Sequence, residues 1–219
     1  SVRGGSVYTL NLKPGYTATA TYTGVGGGSL ILTPNTNTWT ITAPGNGGAM
    51  TVNVSKVIGT VNMGSTASVT DVNAALFNGN NVVVAGPWVP SDSNTELRIP
   101  DGRTLTVNGS FDAQAKNVNI TASGVDKTGK LVVSGTLNMN PNDDIDFELL
   151  AYNLNFRAGA SASISISKPL TVQNDMVVFS TVSTNITIPA GVRVDVGNSL
   201  KKTDSAQKTI TIYGSLYVA

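Results

Sequence analysis

The segment NPNDDIDFELL, residues 140–150, gathers the densest acidic chemistry in the chain. On a strand, Asn142, Asp144, Asp146 and Glu148 would share one face, because successive side chains alternate. Hard oxygen ligands in such a row suit Ca²⁺. The segment departs from a twelve-residue calcium loop at two places. Phe147 stands at the sixth position, where that loop needs Gly, and Asn153 at the twelfth, where it needs Glu. The same residues also read as an amphipathic strand, with Ile145, Phe147 and Leu149 inward and the carboxylates in water. No other metal or cofactor is expected.

Other carboxylates are scattered. Asp101, Asp112, Asp126 and Asp195 lie mostly near turns, whereas glycoside chemistry needs two at a defined separation. With no His the chain lacks the commonest general base, and with no Cys it lacks a thiolate. A non-enzymatic role is therefore expected. Trp39, Trp88, Tyr213 and Tyr217 are candidates to stack on sugar rings. Trp39 sits in the alternating run TWTIT, which places it in a core. Trp88 lies between Pro87 and Pro90 in loop-like sequence, either plugging a junction or touching a ligand.

These residues must be held by strands. Charged residues make up only 12% of 219 residues and the net charge is +1, against roughly 25% charged in ordinary soluble domains. Thr, Ser, Asn and Gly supply the polarity instead. Without a basic excess, nucleic acid is not an expected partner. No run reaches the ~20 apolar residues of a membrane helix, so no membrane insertion is expected. Weak charge suits a subunit packed among copies of itself. Ser1 fits either removal of a signal peptide or removal of an initiator Met.

Residues 1–60 alternate in short β-type runs such as SVYTLNL and YTATATYTG, parted by KPG, GVGGG and APGNGG. They are expected to form a small antiparallel, sandwich-like β-domain. Residues 61–96 read as a connector with one short helix in SVTDVNAALFNGN, capped by Thr70 or Asp71 and ended by Asn78-Gly79.

From Leu97 the sequence repeats itself. LRIPDGRTLTVNGSF (97–111) aligns with ITIPAGVRVDVGNSL (186–200), and a half-phrase recurs as LTVNGSF at 105, LVVSGTL at 131 and ITIYGSL at 210. Pro interrupts a ladder and Gly permits a corner, so IP-x-G marks a corner and the alternation after it a wall. Units too short to bury their own face must stack. Residues 97–219 are thus expected to form a short parallel β-helix of roughly five coils. The alternative is a pair of β-sandwiches whose hairpins look alike.

IPAGVRVDVGNSL and LVVSGTLNM resemble coils of right-handed parallel β-helix proteins, among them bacterial surface proteins and phage fibre or tailspike proteins. The first 60 residues more loosely resemble small β-domains of phage virion proteins. The resemblance is one of pattern and carries over no functional residue.

A solenoid has two open ends, and TIYGSLYVA leaves Ile212, Leu216 and Tyr217 on a last strand without a cap. Self-association into a trimer or filament is expected there. The expected role is structural: a phage virion component, such as a head decoration or fibre protein, docked on a larger particle. The alternative is a secreted cell-surface filament or adhesin subunit. A third reading is a carbohydrate-binding module that takes a glycan through Trp88 or the acidic cluster. The expected location is accordingly the virion, or otherwise the extracellular space or cell surface.

Overall fold

A computed structural model describes residues 5–11, 16–23, 29–32, 38–42, 49–56, 58–140, 144–158, 162–180, 184–203 and 208–219. The chain divides into two compact units, 1–59 and 60–219.

The first unit holds β1 (Val7–Asn11), β2 (Tyr16–Thr23), β3 (Ser29–Leu32), β4 (Thr38–Thr42) and β5 (Ala49–Lys56). β4 pairs antiparallel with both β1 and β3, and β2 pairs antiparallel with β5. Ala18 is buried while Thr19 and Thr21 are exposed. Trp39 is half-buried opposite Leu10 and Leu32.

The second unit is a parallel β-solenoid. It opens with β6 (Thr60–Met63), the helix α1 (Val69–Phe77) and β7 (Asn81–Ala85). There follow β8 (Glu96–Pro100), β9 (Thr104–Asn108), β10 (Phe111–Asp112), β11 (Asn119–Ser123), β12 (Lys130–Met139) and β13 (Glu148–Ala158). The later coils hold β14 (Ala162–Ser165), β15 (Leu170–Val172), β16 (Asp175–Ser180) and β17 (Thr184–Ile188). The last strands are β18 (Arg193–Val196), β19 (Ser199–Lys202), β20 (Lys208–Ile212) and β21 (Ser215–Val218).

One wall stacks β6, β7, β9, β12, β13, β15, β18 and β21, every neighbouring pair parallel. A second wall carries β10, the far halves of β12 and β13, then β16 and β19. The third carries β8 and β11, then β14, β17 and β20, joined through an isolated Ile145–Ile166 bridge. Parallel pairing from rung to rung rules out the two-sandwich alternative for this unit.

Register makes the core continuous. Val61, Val82, Leu105, Leu131, Leu149, Leu170, Val194 and Leu216 form one column. Met63, Val84, Val107, Val133, Ala151, Val172, Val196 and Val218 form the next. Burying each Val or Leu stabilises by roughly 1.5–3 kcal/mol, and a lone coil buries neither column on both sides. Five steps separate Leu105 from Leu216, the number of coils expected after residue 97.

The repeated phrase marks one corner. Arg103 N donates to Pro100 O at 3.1 Å, and Val192 N to Pro189 O at 3.2 Å. Gly102 and Gly191 hold φ of 64° and 81°, at the turn position that demands a positive value. Both turns lead from the third wall, through β8 or β17, into the first, through β9 or β18.

The solenoid begins at Thr60, earlier than the repeats suggest. The segment 61–96 is no connector, because β6 and β7 are the first two strands of the long wall. In this first coil α1 takes the place a strand would occupy beside β8. Its N-cap is Ser68, whose Oγ accepts from Asp71 N at 3.0 Å, rather than Thr70 or Asp71. Asp92 reinforces the cap, accepting from Val69 N at 2.7 Å and Thr70 N at 3.1 Å. Burial opposes ionisation of that carboxyl, yet these hydrogen bonds prevail and hold it below the usual range. Val69, Val72 and Leu76 turn into the core.

Candidate functional site at the open end of the coil

The two ends of the solenoid differ. At the first, α1 presents Asn73 to the edge of β8: its Nδ2 donates to Glu96 O at 2.8 Å and its Oδ1 accepts from Arg98 N at 2.9 Å. The side-chain amide thus copies a neighbouring strand. At the other end β20 and β21 are edge strands, with no partner beyond them among the described residues. Ile212, Tyr217 and Val218 are 46%, 54% and 46% exposed. Leu216 and Ile210 are only partly covered, packed against the last buried rung.

The backbone of β21 shows where pairing is left over. Ser215 N donates to Val192 O at 2.9 Å and Ala219 N to Val196 O at 3.0 Å. Alternation along a parallel ladder therefore turns the N–H groups of Leu216 and Val218 to the open side.

Beside this edge lies a groove of about 420 Å³ lined by Thr171, Gln173, Asp195, Gly197, Tyr217 and Ala219. Thr171, Asp195 and Tyr217 stand side by side on β15, β18 and β21. Gly197 keeps the floor low, since a Cβ there would collide with the Gln173 carbonyl. Arg193 Nε donates to both Asp195 oxygens, at 3.0 and 2.8 Å, and its Cζ lies 4.6 Å from the Tyr217 ring centroid. The hydrogen bond from Arg193 to Asp195, then the Asp195 charge, hold the guanidinium above its ordinary value. The groove thus brings an exposed aromatic ring beside a carboxylate already held by Arg193.

No family model, curated protein or solved structure matches the chain.

The acidic segment is arranged differently from a shared ion site. Ile145, Phe147 and Leu149 are buried, as an amphipathic strand requires. Asp144 accepts from Ser165 N at 2.7 Å, and Asp146 from Ala122 N at 2.7 Å and Lys127 Nζ at 2.5 Å. Glu148 pairs with Lys130 at 2.6 Å. Each carboxylate bonds its own neighbour in an adjacent coil. Among the described residues no three acidic side chains are grouped to hold a metal, and Asn142 lies outside the described residues.

Trp88 is wholly buried and offers no face to a ligand. Its ring stacks on Phe111 at 4.3 Å and its Nε1 donates to Ala67 O at 2.9 Å. Despite the flanking prolines it joins the ladder, Trp88 N donating to Ser110 O at 2.7 Å. Its place is the interior of the first coil. Among the scattered carboxylates, Asp101 accepts from Thr128 N at 2.8 Å and Asp126 N at 3.2 Å. These bonds, that from Thr128 first, hold it below the usual carboxylate range.

Sequence reasoning did not find the asparagine columns. Asn117 Nδ2 donates to Asn94 Oδ1 at 2.8 Å, and Asn140 Nδ2 to Asn117 Oδ1 at 3.2 Å. Asn94 and Asn117 sit at φ of 55° and 51°, a region Asn tolerates. The signal was available, since positions 94, 117 and 140 share one spacing.

Proposed function

We propose that this chain is a non-enzymatic structural protein of an extracellular particle that self-associates through the open β-edge of its solenoid. The observation that carries the reading is the contrast between the ends. At one, α1 and the Asn73 amide close the edge of β8. At the other, β20 and β21 pair on one side only and have no second partner among the described residues, beside Ile212, Tyr217 and Val218. Unpaired edges with apolar neighbours template further pairing. The particle we favour is a phage virion, with the chain as head decoration or fibre. The pattern of the IP-x-G coils and the weakly charged composition support that choice. A secreted cell-surface filament or adhesin subunit is the alternative within the same class.

Light scattering across a dilution series tests self-association. The mass of the 219-residue chain is expected to rise with concentration, and Val218→Lys, which sets a charge on the open edge, to remain a monomer. A single-copy mass at every concentration overturns the reading.

The groove supports a second reading, a glycan-binding module. It expects saccharide binding to the wild-type chain that disappears in Tyr217→Ala and Asp195→Asn. Binding untouched by both changes removes the groove as the site.

A further inference from the structure

Asn followed by Gly can change its own covalent structure. The Gly nitrogen, with no Cβ beside it to hinder approach, attacks the Asn side-chain Cγ. Its proton goes to solvent base, a new C–N bond closes a succinimide ring, and the side-chain nitrogen leaves as ammonia. Water then opens the ring at either carbonyl, leaving aspartate or isoaspartate. Isoaspartate carries an extra methylene in the main chain. Among the described residues the pair occurs at Asn78–Gly79 and at Asn108–Gly109.

Both Asn side chains are exposed, so the difference between the two sites lies in the main chain. At Asn108 it is gripped by both neighbouring coils. Asn108 O accepts from Gly86 N at 3.0 Å on one side, and Gly109 O accepts from Gly135 N at 2.9 Å on the other. Gly109 N itself donates to Val107 O at 3.0 Å, closing a three-residue turn. Bringing that nitrogen onto Cγ means rotating the peptide between the two residues. The rotation withdraws Asn108 O from Gly86 and Gly109 N from Val107. Asn78, by contrast, ends α1. Gly79 N donates to Leu76 O at 2.9 Å within that last turn, and a helix end frays without the rest of the fold opening.

The corner also lacks room for the product. Gly86, Gly109 and Gly135 stack their backbones in successive coils. A Cβ on Gly86 would lie 2.5 Å from Asn108 O and 2.6 Å from Gly109 Cα, and one on Gly135 2.7 Å from the Gly109 carbonyl carbon. A corner without space for a side-chain carbon has none for an added main-chain carbon. The added length would fall just before Phe111, whose ring stacks on Trp88.

We propose that Asn108–Gly109 is a self-modification site held shut by the folded coils, and that a chain which reacts there while open cannot return to the fold. The reaction proceeds through opened molecules, so its rate follows the opening equilibrium of the coils. Chains that stay unfolded are marked at this corner and removed from the folded pool.

The full wild-type chain is aged in mildly alkaline buffer, with and without urea, and each site is followed by peptide mapping that separates isoaspartate from aspartate. Asn108 is expected to convert in urea and to lag by about tenfold or more in buffer alone, with a smaller lag at Asn78. When urea is removed, isoaspartate at position 108 should stay with the chains that fail to refold. Asn108→Gln, whose longer side chain must close a larger ring, should keep its refolding yield after the same exposure. No conversion at Asn108 in urea removes the site. Conversion as fast in buffer as in urea overturns the hold exerted by the coils. Isoaspartate at position 108 recovered in full proportion from refolded chains overturns the bar to refolding.

Discussion

The side chain of Asn73 and the backbone of Arg98 meet as two strands would, Oδ1 accepting the N–H at 2.9 Å, while Nδ2 returns the bond to Glu96 O at 2.8 Å. An edge that would otherwise expose both groups is closed by one amide. Asn73→Ala strands the part-buried Glu96 carbonyl and frees the more exposed Arg98 N–H to water, a loss of about 1 kcal/mol. Asn73→Asp keeps the acceptor and loses the donor, and should fall between wild type and Ala. Urea unfolding checks the order, and equal stability of all three contradicts the capping role.

Trp88 and Phe111 tie the first coil to the second. Trp88→Ala removes a buried indole and leaves the Ala67 carbonyl without its donor, a cost of roughly 3–5 kcal/mol. Trp88→Phe should recover much of the packing without that hydrogen bond. Acrylamide quenching offers an independent check. Trp88 is fully buried and Trp39 half-buried, so Trp39→Phe should leave an emission that quencher hardly reaches.

Two glycines should respond oppositely to Ala. A Cβ on Gly135 would come within 2.7 Å of the Gly109 carbonyl carbon and of Ser110 N, whereas nothing lies within 4 Å of one on Gly64. Gly135→Ala should destabilise by about 1–3 kcal/mol through overpacking. Gly64→Ala should be neutral, or stabilising by up to about 1 kcal/mol. Thermal midpoints of the two variants settle this. A harmless Gly135→Ala would mean that the coils do not approach so closely there.

Acid should unfold the protein through its hydrogen-bonded carboxylates. Asp92 and Asp101 are held below the usual range by hydrogen bonds, and Asp175 by Lys201 first, at 2.6 Å. A depressed folded pKa stabilises fully above the unfolded value of about 3.9, and that contribution is lost as pH falls through the folded value. With no His in the chain, the thermal midpoint should be nearly flat from about pH 5 to 7 and drop below about 4. Asp101→Asn should be less stable than wild type at pH 7 and converge on it in acid. A gap that persists unchanged at about pH 2 contradicts the role given to that carboxylate.

Much of this fold was legible because corners and walls have different chemistries. IP-x-G marked the same turn twice, and alternation in the acidic segment turned Ile145, Phe147 and Leu149 into the core. The half-phrases at 105 and 131 do stack, Leu105 on Leu131. ITIYGSL does not follow them. Its Gly214 lies between β20 and β21, at a different corner, because any corner with close backbone approach calls for Gly. The start of the solenoid was hidden for a related reason. The first coil replaces a strand with α1, and Pro87 and Pro90 read as loop although Trp88 between them pairs with Phe111. Asp195 and Tyr217 were each visible as candidates, but their adjacency depends on register, which no local pattern reports. The acidic segment kept two readings because alternation alone cannot tell carboxylates that converge on one ion from carboxylates that bond separate partners in the adjacent coils, as Asp144, Asp146 and Glu148 do.

Hydrogen exchange at the amides of Leu216 and Val218, followed at low and high protein concentration, tests the open edge most directly. Their N–H groups face away from β18, while Ser215 and Ala219 bond to it. Both amides should exchange quickly in dilute solution and slow by about tenfold or more as copies associate, with Ser215 and Ala219 little changed. Fast exchange that is indifferent to concentration would contradict association through this edge, and with it the structural role argued here.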